Sequence, residues 1–237
     1  MKRKLLLISN STNFGEAYLG WTLPIIEDFI KKHELKKLIF VPYAGVSMSY
    51  DVYYDKVNEV FRNFGVELGS VHLEAEPAKA IDEVDGVVVG GGNTFHLVYM
   101  LHQTGLMQKI REKVLDGMPF MGWSAGANIA CPSLKTTNDM PIIEPQSFNC
   151  LELVPFQINP HYIDVNPVGH GGETRQQRIE EFLCVNRHIK VVGLREATAL
   201  LIHDNTCKLL GTRNMMLFEH QQPARELNVG DDLSFLL

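Results

Sequence analysis

The pattern with the clearest chemical meaning is the motif G-W-S-A-G at residues 122–126, which follows an apolar run at residues 118–121. This is the G-x-S-x-G arrangement of a sharp strand-to-helix turn, and we expect the helix to begin over residues 125–130. Gly122 and Gly126 flank the serine because the tight turn leaves no room for larger side chains at these positions. The backbone N–H of Ala125 would point toward the same space and could stabilise an oxyanion. The motif therefore predicts a serine nucleophile.

A serine hydroxyl becomes reactive when a base accepts its proton, and histidine is the usual base. Most of the nine histidines lie in charged segments, at predicted strand ends or in a predicted helix. His161 differs because it follows Asn159-Pro160, which should break regular structure and leave the histidine on a loop. A loop histidine held by a rigid proline suits a base. His170, in a glycine-rich stretch, is a weaker candidate.

A base of this kind also needs an acid that orients it. Glu196 directly follows an apolar run at residues 191–194, so we expect it at the end of a strand. Asp139 lies in a polar turn at residues 136–141. Glu196 could instead pair with Arg195, and Asp139 could simply bond its own backbone. Spacing along the chain does not choose between the two acids.

The glycine-rich segment at residues 90–94 follows a predicted strand and precedes a predicted helix. It lacks the Lys-Ser/Thr pair of a phosphate-binding P-loop, and Phe95 replaces the third glycine of G-x-G-x-x-G. Nucleotide binding is therefore disfavoured. A second oxyanion N–H from Gly91 or Gly92 fits better, because that role needs a close backbone approach without a side chain.

His161, Asp164, His170 and Glu173 form the only grouping that suggests a metal site. Their spacing matches no helical or zinc signature, so we predict no metal and no organic cofactor. The four cysteines are widely spaced and contain no C-x-x-C pair, which favours packing roles.

Short apolar runs alternate with helical patterns over the first half of the chain. Such continuous apolar runs are typical of strands buried on both faces of a parallel sheet. The pattern predicts an α/β fold with a mostly parallel sheet and helices on both faces, whose loops share the edge where ligands bind. The predicted strands are 5–9, 38–41, 66–72, 86–89 and 119–122, and the predicted helices are 23–32, 54–64, 94–101 and 107–115.

The second half of the chain has a different pattern. Residues 132–172 are rich in proline and loops, and a helix is expected over 174–186. The segment at residues 204–206 is typical of a hairpin turn, so we predict an antiparallel C-terminal extension. No linker or repeat is visible, which favours a single domain over residues 1–237. Further strands are predicted at 191–194, 199–203, 208–211 and 215–218.

Composition excludes several classes of function. The 237 residues are 45% apolar and 21% charged, the ordinary balance of a globular protein. A net charge of −6 without a basic stripe argues against nucleic acid. No stretch approaches the roughly 20 apolar residues that cross a bilayer, so no membrane contact and a cytoplasmic location are expected.

The chain resembles the peptidase E family of aspartyl dipeptidases, which are serine peptidases. The likeness extends over nearly the whole length and includes, besides the serine and glycine motifs, the segments 137–141, 159–162, 172–175 and 193–196. The family has a fold like that of the class I glutamine amidotransferases, which have a cysteine where this chain has Ser124. The resemblance implies Ser124 as nucleophile and His161 as base. Glu196 or Asp139 is then the third member, with Glu196 favoured because it follows a strand.

The resemblance also implies hydrolysis of small peptides that begin with aspartate, by a monomer or homodimer. An acidic side chain needs a local cation, because an unpaired carboxylate is costly to bury. Arg175 is the first choice, since a guanidinium can hold a carboxylate with two bonds. Glu173 would receive the α-ammonium group, and Asn93 would contact the substrate. Two alternatives are a related hydrolase acting on another aspartyl amide or polymer, and a non-catalytic binding protein of this fold.

Overall fold

The computed structural model describes residues 2–166, 168–169 and 171–237. The strands in this part of the chain are β1 (Lys4–Ile8), β2 (Lys37–Val41), β3 (Glu67–Ser70), β4 (Gly86–Val89), β5 (Phe120–Trp123), β6 (Gln157–Tyr162), β7 (Val191–Arg195), β8 (Thr198–His203), β9 (Thr206–Gly211), β10 (Met215–Phe218) and β11 (Arg225–Leu227). The α-helices are α1 (Leu23–Lys32), α2 (Tyr50–Phe61), α3 (Pro77–Ala80), α4 (Thr94–Gln103), α5 (Leu106–Leu115), α6 (Ala125–Asn128) and α7 (Arg175–Val185). None of these helices is long and apolar enough to span a membrane.

A seven-stranded sheet forms the centre of the fold, with the strand order β3-β2-β4-β5-β1-β8-β9. Its first five members are parallel to one another, whereas β8 pairs antiparallel with β1 and with β9. The hairpin between β8 and β9 turns at Asp204, which has a φ of 52°. The predicted parallel sheet with an antiparallel C-terminal extension is therefore confirmed.

The core lies on both faces of this sheet, because alternate residues of each buried strand point to opposite sides. One face of the sheet packs its side chains against α1 and α2, and Leu6 and Phe40 belong to this side. The other face packs against α4 and α5, with Leu5 and Val87 on that side. The sheet is thus covered by helices on both faces, as the continuous apolar runs predicted.

A second sheet of four strands, in the order β11-β10-β7-β6, was not predicted. Strands β6 and β7 are parallel, and β10 is antiparallel to both β7 and β11. The predicted strands 191–194 and 215–218 both belong to this sheet rather than to the central one. This second sheet matters for the site because two of its strands, β6 and β7, bring residues to the edge where β5 ends.

Three predicted boundaries were wrong. Helix α2 begins at Tyr50 rather than Tyr54, because the Ser49 hydroxyl caps it by accepting the N–H of Val52 at 3.2 Å. The strand predicted over 66–72 ends at Ser70, and a 3₁₀ turn follows. Helix α6 ends at Asn128, because the next carbonyl groups accept bonds from the loop at residues 151–154 instead of continuing the helix.

Candidate active site

Ser124 occupies the turn between β5 and α6 with φ 53° and ψ −112°. A positive φ is uncommon for a residue with a side chain and costs about 1–3 kcal/mol. Hydrogen bonds on both sides stabilise this backbone. The Ser124 N–H donates to the Ile8 carbonyl at 2.9 Å, and its carbonyl accepts from the N–H groups of Ala127 and Asn128. The predicted strand-to-helix turn is present, with the serine at its apex.

Both glycines of the motif are required by close packing. A Cβ atom on Gly122 would lie 2.3 Å from the Gly126 carbonyl oxygen, and one on Gly126 would lie 2.2 Å from the carbonyl oxygen of Val89. Neither position has room for a methyl group, because the contacts are with backbone atoms that cannot rotate away. The small residues therefore let α6 start directly against β4 and β5.

Three predicted site residues meet in a chain of hydrogen bonds. The Nε2 atom of His161 lies 3.0 Å from the Oγ atom of Ser124, and its Nδ1 atom lies 2.9 Å from Oε1 of Glu196. The His161 and Glu196 side chains are 39% and 47% exposed, so the pair opens to solvent. Such an arrangement of hydroxyl, imidazole and carboxylate can remove a proton from the serine.

His161 lies in strand β6, so its predicted loop location was wrong. The pairing of β6 with β7 is interrupted by a bulge between Asn159 and Tyr162, and His161 has a φ of 52° within it. Pro160 has no N–H to donate, and a bulge is where a strand tolerates such a residue. Asn-Pro therefore redirects the histidine without ending the strand.

Glu196 follows β7 immediately, at the strand end where the sequence predicted it. The next residue, Ala197, has a φ of 61° and donates its N–H to the Asn10 side-chain oxygen at 2.8 Å. Asn10 itself follows β1. The tight turn from β7 to β8 is thus fixed to the central sheet, and it aims the carboxylate of Glu196 at His161.

Asp139, the other predicted acid, lies beside the N-terminus of α4, and its carboxylate accepts hydrogen bonds there. Its Oδ2 atom accepts from the Thr94 N–H at 2.7 Å and from the hydroxyls of Thr94 and Thr137 at 2.6 and 3.0 Å. A carboxylate is favourable at a helix N-terminus because of the exposed N–H groups there. Within the described residues no hydrogen bond joins Asp139 to His161, whereas Glu196 contacts the imidazole directly.

Asn138, which the sequence analysis did not single out, supports β6 from the same loop. Its amide donates to the Pro160 carbonyl at 2.6 Å, and its side-chain oxygen accepts from the Asn159 amide at 2.7 Å. The polar turn at residues 136–139 therefore holds the bulge that carries His161. A run of hydrogen-bonding side chains, T-T-N-D, was the available signal.

The glycine loop lies against the serine turn, as its predicted oxyanion role requires. A Cβ atom on Gly91 would lie 3.0 Å from the Ser124 Cβ, and one on Gly92 would lie 2.1 Å from the Ala44 carbonyl oxygen. Among the described residues, no acceptor takes the N–H groups of Gly91, Gly92 or Ala125. These donors are therefore available beside Ser124.

A cavity of about 410 Å³ opens in front of Ser124 and His161. Asn93 lines it while capping α4, since its side-chain oxygen accepts the His96 N–H at 3.1 Å. Sequence reasoning missed several further residues that line the cavity, and three of them matter below. These are Tyr18, Tyr53 and Lys56.

Arg175 and Glu173, the predicted substrate contacts, do not line this cavity. Arg175 begins α7 and lines a neighbouring cavity of about 150 Å³ together with Asp139 and Arg178. Partial burial lowers the pKa of Arg175, an effect that the charge of Arg178 reinforces and that of Asp139 opposes. The Glu173 carboxylate lies 3.7 Å from the Nε atom of Arg178.

The described members of the alternative metal grouping do not lie together as a set of ligands. Asp164 instead binds the guanidinium of Arg195 at 2.6 and 2.8 Å. His161 is engaged with Ser124 and Glu196, and His170 lies outside the described residues. No group of three or more potential metal ligands occurs in the described part of the chain.

The α/β fold and the serine–histidine–glutamate site define a serine-type peptidase. Residues 5–210 match peptidase family S51, and the chain belongs to that family. It is 49% identical to Peptidase E of Nostoc sp. over 237 residues, covering 100% of this chain and 98% of the relative. It is 46% identical over 232 residues to Peptidase E of Shewanella putrefaciens, covering 98% of each. The predicted family and enzyme class are confirmed.

The fold also has a crystallographic counterpart. A peptidase from an acI-B1 Actinobacterium superimposes with a TM-score of 0.71 at 17% identity, covering 99% of this chain and 98% of that one. At this identity the likeness concerns the fold alone, and it confirms the predicted fold class.

Proposed function

We propose that this peptidase hydrolyses short peptides with an N-terminal aspartate through an acyl-enzyme on Ser124. The observation that supports the mechanism best is the continuous hydrogen-bonded chain from Ser124 through His161 to Glu196. The family membership and the high identity to proteins called Peptidase E support the substrate class.

The first half of the reaction forms the acyl-enzyme. Ser124 Oγ attacks the carbonyl carbon of the N-terminal residue while His161 Nε2 accepts the hydroxyl proton. N–H groups from Gly91, Gly92 and Ala125 stabilise the negative charge that develops on the carbonyl oxygen, and such stabilisation accounts for much of the rate enhancement in acyl transfer. His161 then donates its proton to the leaving amine as the C–N bond breaks, and an ester on Ser124 remains.

The second half releases the amino acid. His161 accepts a proton from water, whose oxygen attacks the ester carbonyl, and the proton then returns to Ser124 as the C–O bond breaks. Glu196 holds the imidazole in the required tautomer and stabilises its cationic form in both halves. Free aspartate and the second amino acid are the products.

The shape of the site supports a small substrate. The cavity of about 410 Å³ lies at the low end of the range for ligand pockets and suits a dipeptide. The exposed free thiol of Cys184 supports a reducing compartment such as the cytoplasm.

The test is release of free amino acid from Asp-Leu, Glu-Leu and Leu-Leu by wild type and Ser124→Ala. Turnover of Asp-Leu alone, lost in the variant, is expected. A fluorophosphonate should label wild type at Ser124 and leave the variant unlabelled. Turnover that survives in Ser124→Ala would remove the serine from the mechanism. Turnover of long aspartyl polymers in place of dipeptides would overturn the substrate class.

A further inference from the structure

The cavity in front of Ser124 contains one residue whose charge suits an acidic substrate. Among the described residues that line it, Lys56 alone has a fixed positive charge, and none has a carboxylate. The protein as a whole has a net charge of −6, so a cavity lined by one lysine and no carboxylate is a local departure from its composition. An aspartate side chain that enters this cavity would find Lys56 there, whereas Arg175 lines the neighbouring cavity.

The Tyr18 ring contacts the Lys56 ammonium group, and Tyr53 lies on the same face of the helix. Lys56 lies three residues after Tyr53 on α2, which puts both side chains on one face of the helix. Its Nζ atom lies 4.1 Å from the centre of the Tyr18 ring. A cation over an aromatic face is attracted without being neutralised, so the ammonium keeps its full charge for a ligand.

The same tyrosines connect Lys56 to the reacting centre. The Tyr18 hydroxyl lies 3.5 Å from that of Tyr53, and Tyr53 donates to the Gly91 carbonyl at 2.9 Å. The Tyr18 ring also packs edge-on against Trp123, the residue before the serine. The Tyr18 ring that the ammonium contacts is thus linked to both the glycine loop and the serine turn.

Some lysines of this protein are already paired with carboxylates, such as Lys31 with Glu27, and Lys109 and Lys113 with Asp82. Within the described residues Lys56 makes no ion pair with a carboxylate. Its charge is available for a carboxylate that arrives with the substrate.

We propose that Lys56 is the specificity-determining cation that binds the side-chain carboxylate of the substrate's N-terminal aspartate. This assignment rests on the proposed function, and it identifies the group that prefers aspartate over asparagine. A charge-assisted hydrogen bond of this kind is strong enough to discriminate between the two side chains, which are nearly the same in size.

The experiment measures kcat/KM for Asp-Leu, Asp-Leu amide and Asn-Leu with wild type, Lys56→Met and Lys56→Arg. Lys56→Met should lower kcat/KM for both aspartyl substrates about 10- to 100-fold and leave the slow Asn-Leu reaction unchanged. Lys56→Arg should restore part of the loss. Lys31→Met, which removes an exposed lysine of α1, serves as the matched control and should behave like wild type.

Three results would overturn the assignment. An equal loss for Asp-Leu and Asn-Leu would make Lys56 structural. A loss for Asp-Leu but not for its amide would mean that the lysine binds the C-terminal carboxylate. A selective loss in Arg175→Met, with Lys56→Met unaffected, would return the role to Arg175.

The wild-type protein shows separately whether the proposed function itself fails. Wild-type protein that reacts with a fluorophosphonate at Ser124 but hydrolyses no aspartyl dipeptide would overturn the substrate class itself, and the Lys56 assignment with it. Unchanged fluorophosphonate labelling in Lys56→Met shows that its serine site is intact, so a selective loss there concerns recognition alone.

Discussion

The backbone N–H of His161 donates a hydrogen bond to the hydroxyl of Ser9 at 3.0 Å. Ser9 directly follows β1 in the seven-stranded sheet, whereas His161 lies in β6 of the four-stranded sheet. The same hydroxyl donates to the Leu194 carbonyl on β7 at 2.8 Å. One buried serine therefore connects the two strands that lead to His161 and Glu196 with the sheet that presents Ser124.

Replacement of Ser9 by alanine should impair catalysis without touching the reacting atoms. The loss leaves the His161 N–H without its acceptor, so the imidazole drifts from Ser124, and we expect kcat to fall about tenfold with little change in KM. Because a buried polar group loses its partner, the free energy of unfolding should also fall by about 1–3 kcal/mol. Steady-state kinetics and urea unfolding measure the two effects.

Ser70→Ala is the matched control, since Ser70 is an equally buried serine at the end of β3 whose hydroxyl donates to the Phe40 carbonyl. It should lose stability and keep kcat. An equal fall of kcat in both variants would show that the Ser9 effect is general destabilisation.

Mutation should distinguish the roles of the two predicted acids, Glu196 and Asp139. Glu196→Gln removes the charge that stabilises the His161 imidazolium, so kcat should fall roughly 10²- to 10⁴-fold while stability is nearly unchanged. Asp139→Asn weakens the three hydrogen bonds that this carboxylate accepts from Thr94 of α4 and from Thr137, so it should lower the free energy of unfolding by about 1–3 kcal/mol and spare most of kcat. Dipeptide kinetics and thermal unfolding of both variants make the comparison. A larger kcat loss in Asp139→Asn would reverse the assignment.

His33 should make the protein less stable in mild acid. Burial, together with the charges of Lys4, His203 and Lys32, lowers its pKa from 6.5 to about 4. The unfolded chain binds a proton below about pH 6.5 while the folded protein still excludes it, so stability falls as pH drops from that value toward 4. The ring stacks on His203, and its Nε2 atom is buried with no partner among the described residues.

Thermal unfolding of His33→Gln across this pH range provides the test. The variant cannot take up the proton, so its Tm should fall less than that of wild type on acidification. His188→Gln, which removes an exposed histidine, should keep the wild-type pH dependence. Parallel curves for wild type and His33→Gln would exclude His33 as a source of the acid sensitivity.

Features that depend on neighbouring residues could be predicted from the sequence. The serine turn followed from the glycines around Ser124, because its packing involves atoms within and just beside the motif. The buried strands β1, β2 and β4 followed from their uninterrupted apolar runs. Glu196 was correctly expected at a strand end for the same reason.

Features that depend on distant pairing could not be predicted. Glu196, and not Asp139, lies beside His161 because β6 pairs with β7, which a linear pattern does not reveal. Lys56 was missed because it is one of several exposed lysines, and its proposed role depends on Tyr18, nearly forty residues earlier. Arg175 was chosen for its charge, although α7 directs it into the neighbouring cavity.

The location of Ser124 and His161 on different sheets has a consequence during synthesis of the chain. A chain emerging from the ribosome contains β1, β4, β5 and the serine turn long before β6 and β7 have been synthesised. Ser124 is therefore synthesised before the two residues that complete its hydrogen-bonded chain. If His161 and Glu196 activate it as proposed, hydrolytic activity begins only after β7 has been made and has paired with β6.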